Sequence, residues 1–442
     1  MFEKIFKLQQ NGTSLGREAV GGLTTFMTMA YIIFVQPVIM NAAGMDLNSA
    51  LVATCLASAL AIFLMGLTAN YPIALAPGMG HNFFFTYTVV LTLGYTWQQA
   101  LGAIFISGLL FLALSFVGLR EQLITSVPHS LKNAIAVGIG LLIAMVGLQW
   151  SGIVVDTPGT LVGLGDLASP PVLLSLFGLA VSSMLLVRGT GAAVLAGIFF
   201  STGAGLATGM IHYEGTLGAV PSLAPTFLQL DPLGALDQGM LSIIFVFFFL
   251  DLFDTVGTLI GVTQEAGFLR KDGRLPRARF ALLSDAFGTL AGAVLGTSTV
   301  TSYIESAAGV SAGARTGLAN MVTGGLFLLA IFFSPLIRMI GGGIEAGEGV
   351  ILYPVIAPAL IVVGALMLRN VRRIDWDDFT EAIPAFLTLV MMPLTFSITE
   401  GISFGFISYT LLKSVRGKAR EIPPLVAVFA GLFVLRYVLL PV

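Results

Sequence analysis

Apolar residues run along this chain in long blocks separated by short polar breaks, a pattern with neither the two-residue period of a half-buried strand nor the narrow stripe of a surface helix. A helix needs ~20 mostly apolar residues to cross a bilayer. Blocks of this kind lie at about 18–41, 50–69, 72–92, 98–118, 128–150, 171–187, 190–210, 240–262, 277–297, 298–313, 317–340, 349–368, 383–398, 401–414 and 422–441. The block 298–313 is short and rich in Ser, Thr and Gly, and only Glu400 and Gly401 separate 383–398 from the next block. The pattern therefore predicts fourteen spans, with the uncertain pairing after residue 380.

Charge tests that count. With the amino terminus in the cytoplasm, and with 383–414 going out and returning, all basic residues except Arg338 and Arg436, of 21 in the chain, fall on the cytoplasmic side. The segments 151–170 and 211–239 carry no Lys or Arg and would be external. This is the positive-inside alternation of a multi-pass protein. The segments 118–132 and 370–382 read as amphipathic connectors at the cytoplasmic face. Composition agrees: 56% hydrophobic, 10% charged and a mean hydropathy of +0.96 exclude an ordinary soluble enzyme. A net charge of -2 excludes a polyanion binder, so no nucleic-acid partner is expected. One cysteine, Cys55, excludes a disulfide framework. The amphipathic start of the chain has no signal-peptide core.

Four carboxylates sit inside the predicted spans: Asp251, Asp254, Asp285 and Glu305. A charge at bilayer depth costs at least ~2.5–3.5 kcal/mol, so such acids mark function or hydrogen-bond between helices. Asp251 and Asp254, three apart, share one helix face, which Thr255 and Thr258 extend. Phenylalanines at 247, 248, 249 and 253 surround them. Acids that accept ring N–H bonds, beside aromatic rings that stack, suit a flat heteroaromatic ligand. Asp285, in SDAFGTLAG, reads equally as part of a small-residue packing face.

Glu305 lies where a β-branched, polar run, TSTVTSYI, gives way to the small, helix-compatible SAAGVSAGA. This predicts an extended strand breaking into a half-helix with Glu305 and Ser306 at its start. Backbone N–H groups there would hold an acceptor atom. The stretch 70–90 has the same grammar: YPIALAP extended, GMG breaking the chain, HNFFFTY starting a half-helix. Non-helical backbone at this depth survives only where protein or a cavity satisfies it. Two such elements, 75–85 and 298–309, in two halves of seven spans each, give the inverted pattern of secondary transporters. His81 is a candidate proton relay or ligand contact, or a simple hydrogen-bonded histidine. No HExxH, paired His, Cys cluster or Walker loop occurs, so neither metal nor cofactor is expected and no catalytic set is readable.

At these residues the chain resembles the adenine/guanine/hypoxanthine permease (AzgA-like) branch of the nucleobase transporters, related to the uracil and xanthine permeases. The matching stretches are GGLTTFMTMAYIIFVQPVIM (21–40), ALAPGMGHNFFFTYTVV (74–90), FFFLDLFDTVGTLIGV (247–262) and SDAFGTLAGAVLGTSTVTSYIESAAGVSAGARTGL (284–318). The resemblance implies an all-α, fourteen-segment membrane fold of two inverted seven-segment repeats, with short antiparallel strands in segments 3 and 10. After a cytoplasmic N-terminus at 1–17, a core domain would take 18–118 and 240–340, and a gate domain 119–239 and 341–442. It implies proton-coupled uptake of purine bases across the cytoplasmic membrane and association as a homodimer. Substrate-binding positions would be Asp251, Glu305 and Asn82, with Thr255, Ser306, His81 and Phe83 beside them; Asp251, Asp254 or Glu305 would couple the proton. At 81 and 83 the family usually has a small or aliphatic residue and alanine, and at 36 asparagine; here they are His81, Phe83 and Gln36. That departure points to a narrower or shifted substrate. The alternatives are a xanthine or uracil carrier, or an anion exchanger on the same architecture, which the paired acids disfavour.

Overall fold

The computed structural model describes residues 2–117, 127–237, 239–268, 275–347 and 350–439. Much of the 118–132 connector and the basic residues at 120, 270, 271 and 274 lie outside them. The protein is a mostly helical, multi-pass membrane protein. Among the described residues, eight helices are long and apolar enough to cross a bilayer, from Leu15–Ala42 to Leu318–Gly341. Shorter apolar helices occupy Ala193–Ala207, Phe379–Thr395 and Pro424–Val438. The chain forms two compact units, Met1–Phe116 with Leu148–Ala359, and Val117–Gly147 with Leu360–Val442.

In the first unit the opening span is two helices, Leu15–Met29 and Ile32–Ala42, broken at Ala30 and Tyr31. The next helix, Leu47–Leu64, packs against Ile32–Ala42, Ala278–Leu295 and Leu318–Ala330. Backbones approach closely there: a Cβ on Gly317 would run into the Gly66 carbonyl, and one on Gly309 into Thr25. Small residues at crossings are how membrane helices gain packing without a hydrophobic driving force. Glu18 is fully buried and caps a helix start: its carboxylate accepts the N–H groups of Arg315 (2.8 Å), Ala319 (3.2 Å) and Thr316 (3.3 Å).

Among the described residues, three short antiparallel strand pairs interrupt the helices. Strands β1 (Leu75–Pro77) and β4 (Val300–Ser302) pair in the interior. Strands β2 (Val154–Thr157) and β3 (Leu161–Leu164) form a hairpin in the Lys- and Arg-free segment. Strands β5 (Ile344–Glu345) and β6 (Ile351–Leu352) precede a helix that starts at Ala357, later than the apolar block at 349 suggests. The lag has a cause: Pro354 and Pro358 favour a helix start over a helix interior.

In the second unit, helices Phe379–Thr395 and Ile398–Val415 pack along each other, joined through Phe396 in a left-handed conformation. Their core joins Ala385 and Leu389 to Ala134, Val137 and Ile374. Lys413, buried near the end of the second helix, is held between Glu381 (2.9 Å) and Glu421 (3.0 Å). Pro424–Leu439 packs on Ile398–Val415, and Arg436 pairs with Glu400 at 2.9 Å. That pair explains how a basic residue sits within the last apolar block.

Candidate substrate site

The interior strands pair Leu75 with Ser302, Ala76 with Thr301 and Pro77 with Val300. Gly78 N–H donates to the Thr299 carbonyl and Tyr303 N–H to that of Ala74, each at 2.9 Å. Two extended segments, each costly alone in an apolar environment, thus satisfy one another. Each strand then turns into a helix: Met79–Phe83, continued as a π-helix over Phe84–Thr92, and Ser306–Ser311. The Tyr303 hydroxyl donates to the Pro77 carbonyl, and the Ser306 hydroxyl oxygen accepts Ala74 N–H at 3.0 Å. Both breaks fall where the sequence predicts them.

Helix Met240–Glu265 packs against β4 and Ser306–Ser311. This separates two acids that share a face. Asp251 is 1% exposed and accepts long hydrogen bonds from Thr289 (3.4 Å) and Thr255 (3.5 Å). The Thr255 hydroxyl lies 2.7 Å from Asp285 and 2.8 Å from the Thr301 hydroxyl. Ser302 adds a bond to Asp285 at 3.4 Å, and Thr289 lies 3.1 Å from the Val300 carbonyl. Asp251, Thr255 and Asp285 therefore form one buried network bracing β4. Asp254 is different: its side chain is 47% exposed.

Glu305 is half-buried and occupies the cap position of Ser306–Ser311. Tyr31, at the break in the first span, donates its hydroxyl to the Glu305 carboxylate at 2.9 Å. The Thr28 hydroxyl reaches the Glu305 carbonyl at 3.3 Å. On the opposite half-helix, Asn82 is fully buried and accepts a hydrogen bond from the Ser298 hydroxyl. Gln36 donates to Thr297 (3.1 Å) and Ser298 (3.2 Å), so it reaches Asn82 through Ser298. Phe83 is buried and stacked on Tyr87, with ring centroids 5.5 Å apart. His81 is buried, with Nδ1 4.0 Å from the Asp254 carboxylate.

All the acids and half-helix residues singled out in the sequence belong to one unit and lie around one antiparallel strand pair. Asp254 has a 47% exposed side chain and Glu305 is partly exposed, whereas Asp251, Thr255, Asn82, His81, Phe83 and Ser306 are buried. Sequence reasoning missed Tyr31, Ser298 and Thr289, hydroxyls inside blocks that read as apolar or merely polar. Two accessible carboxylates can accept N–H donors from one small polar ligand.

Two kinds of comparison bear on this geometry. A protein-family model described as "Permease family" matches residues 16–404. The chain belongs to that family. It is a transport protein and not an enzyme. The chain is 47% identical over 447 residues to the guanine/hypoxanthine permease PbuG of Bacillus subtilis, covering 98% of this chain and 99% of that one. It is 45% identical over 438 residues to the adenine permease AdeP of Escherichia coli, covering 99% and 96%. Among solved structures, the transmembrane domain of the cyanobacterial bicarbonate transporter BicA superposes with a TM-score of 0.63 at 15% identity, covering 88% of this chain and 96% of that chain. That likeness is one of fold.

Proposed function

We propose that this permease takes up purine bases of the adenine, guanine and hypoxanthine class, driven by protons, across the cytoplasmic membrane. The observation that carries the reading is the pair of partly exposed acids, Asp254 and Glu305, beside the antiparallel strand pair. Purine rings present N–H donors at their edges, and each ionised carboxylate is an acceptor only. The names of the relatives at 45% and 47% identity support the same substrate class. In this reading the two carboxylates hold the base, while Asp251, Thr255 and Asp285 brace the strand that carries the site.

The finer architecture belongs to the same proposal: fourteen spans in two inverted repeats, with the amino terminus in the cytoplasm. The core segments 18–118 and 240–340 would carry the base past a gate formed by 119–239 and 341–442. A likeness to a bicarbonate transporter's fold favours a second reading, anion exchange. Two acids presented to the ligand oppose it. Uptake of labelled adenine, guanine, hypoxanthine, xanthine, uracil and bicarbonate into a permease-deficient cell separates the readings. Purine uptake that collapses with a protonophore and ignores replacement of sodium by choline is expected. Bicarbonate uptake without purine uptake would overturn the proposal.

A further inference from the structure

His81 is 1% exposed, and neither of its ring nitrogens has a hydrogen-bond partner among the described residues. Losing water without replacement costs a polar group about 1–3 kcal/mol. Yet the structure makes room for this ring. Gly78 faces it, and a Cβ there would press on Nδ1 and on the Thr301 methyl. The basic group beside it is aimed at one carboxylate, Asp254, at 4.0 Å. That distance is too long for a hydrogen bond and short enough to become one with a small side-chain movement.

The other titratable groups around the paired strands are engaged. Asp251 and Asp285 accept threonine and serine hydroxyls. Glu305 accepts the Tyr31 hydroxyl, and Tyr303 donates to the Pro77 carbonyl. Asp254 accepts no hydrogen bond among the described residues, and its side chain is 47% exposed.

We infer that His81 and Asp254 act as one proton-sharing pair, and that the coupling proton of transport resides between Nδ1 and the Asp254 carboxylate. The inference rests on the proposed proton-driven uptake. With a proton aboard, the pair is neutral overall, an imidazolium beside a carboxylate or an imidazole beside a carboxylic acid, and the 4.0 Å gap closes into a charge-balanced hydrogen bond; without it, a neutral imidazole faces an ionised carboxylate and the pair carries one negative charge. The proton enters the pair from one side of the membrane, forming an N–H or O–H bond, and leaves to the other as that bond breaks, so one positive charge crosses and both residues return to their starting state. When two groups interact this closely, the proton belongs to the pair and not to either residue. His81 acts through Asp254 and does not touch the base, because its own ring is enclosed.

The test uses the purified full chain in proteoliposomes, with whichever of adenine, guanine or hypoxanthine wild type takes up best. Two rates are read: accumulation against a gradient under an imposed proton gradient, and exchange of labelled for unlabelled base with no gradient. In His81→Gln, accumulation is expected to fall about tenfold or more, as loss of a proton-transfer group does, while exchange stays near wild type. Equal accumulation in variant and wild type would overturn the pair. Loss of exchange in a variant with wild-type melting temperature would also overturn it, making His81 a ligand contact. Should His81→Gln not fold, Asp254→Glu reads the pair from its exposed side: the pH profile of accumulation is expected to move relative to that of exchange. An unmoved profile would overturn the pair. Wild type that exchanges base but never accumulates it would instead defeat proton coupling itself.

Discussion

The two broken elements inside the first unit share a backbone design and differ in what they do with it. In the first, β1 leads into Met79–Phe83, where His81, Asn82 and Phe83 are all buried. In the second, β4 leads toward Ser306–Ser311, which is built of small residues with half-buried Glu305 at its cap. The first element fills space with aromatic rings and ties its amide to Ser298. The second uses small residues and leaves Glu305 partly exposed, its carboxylate accepting the Tyr31 hydroxyl. In the proposed reading the two elements divide the labour: one positions the strands, the other presents a ligand group. The same division recurs within one helix, where Asp251 braces β4 and Asp254, one turn away, stays accessible.

The largest effect should come from breaking the positioning half. Phe83→Ala removes a fully buried ring stacked on Tyr87 and is expected to cost ~3–5 kcal/mol of stability. Its readout is the melting temperature of the purified protein, with the list of competing purines unchanged. A changed list at wild-type stability would make Phe83 a selectivity residue and erase the contrast. Next comes the presenting half. Glu305→Gln replaces an acceptor oxygen with a donor amide and should weaken base binding roughly 10- to 100-fold, in line with ~1.5–3 kcal/mol for a charged hydrogen bond. Calorimetric titration of the folded variant checks this, and wild-type affinity would refute it. Asp254→Asn should weaken binding more than Asp251→Asn; the reverse order would move the ligand acid to the braced position. The smallest effect belongs to Tyr31→Phe, which removes one hydroxyl from the Glu305 carboxylate. About 1 kcal/mol, roughly a fivefold loss of affinity without loss of stability, is expected by the same titration.

Much of this arrangement is legible in the sequence, for reasons that locate the rest. TSTVTSYI and YPIALAP resist helix within apolar blocks, so both strands announce themselves by propensity and by proline. The acids announce themselves by the cost of charge at that depth. The roles of Asp251 and Asp254 were not separable, because three-residue spacing places both on one face and only the packing of β4 tells them apart. Glu18 was silent because an acid in the first turn of a helix reads as solvated, and its burial depends on Arg315, Thr316 and Ala319, about three hundred positions away. Tyr31 was silent for the same reason: its partner, Glu305, is remote in sequence. The β2–β3 hairpin lies in a segment that showed only an absence of Lys and Arg.

The most direct measurement of the central claim is accumulation of a labelled purine base by proteoliposomes that contain this protein alone, across an imposed proton gradient. The account predicts uphill accumulation when the base-containing side is the more acidic. It predicts dissipation on adding a protonophore, and loss of accumulation in Glu305→Gln. Accumulation that needs sodium and survives the protonophore, or equal accumulation by Glu305→Gln, would contradict it.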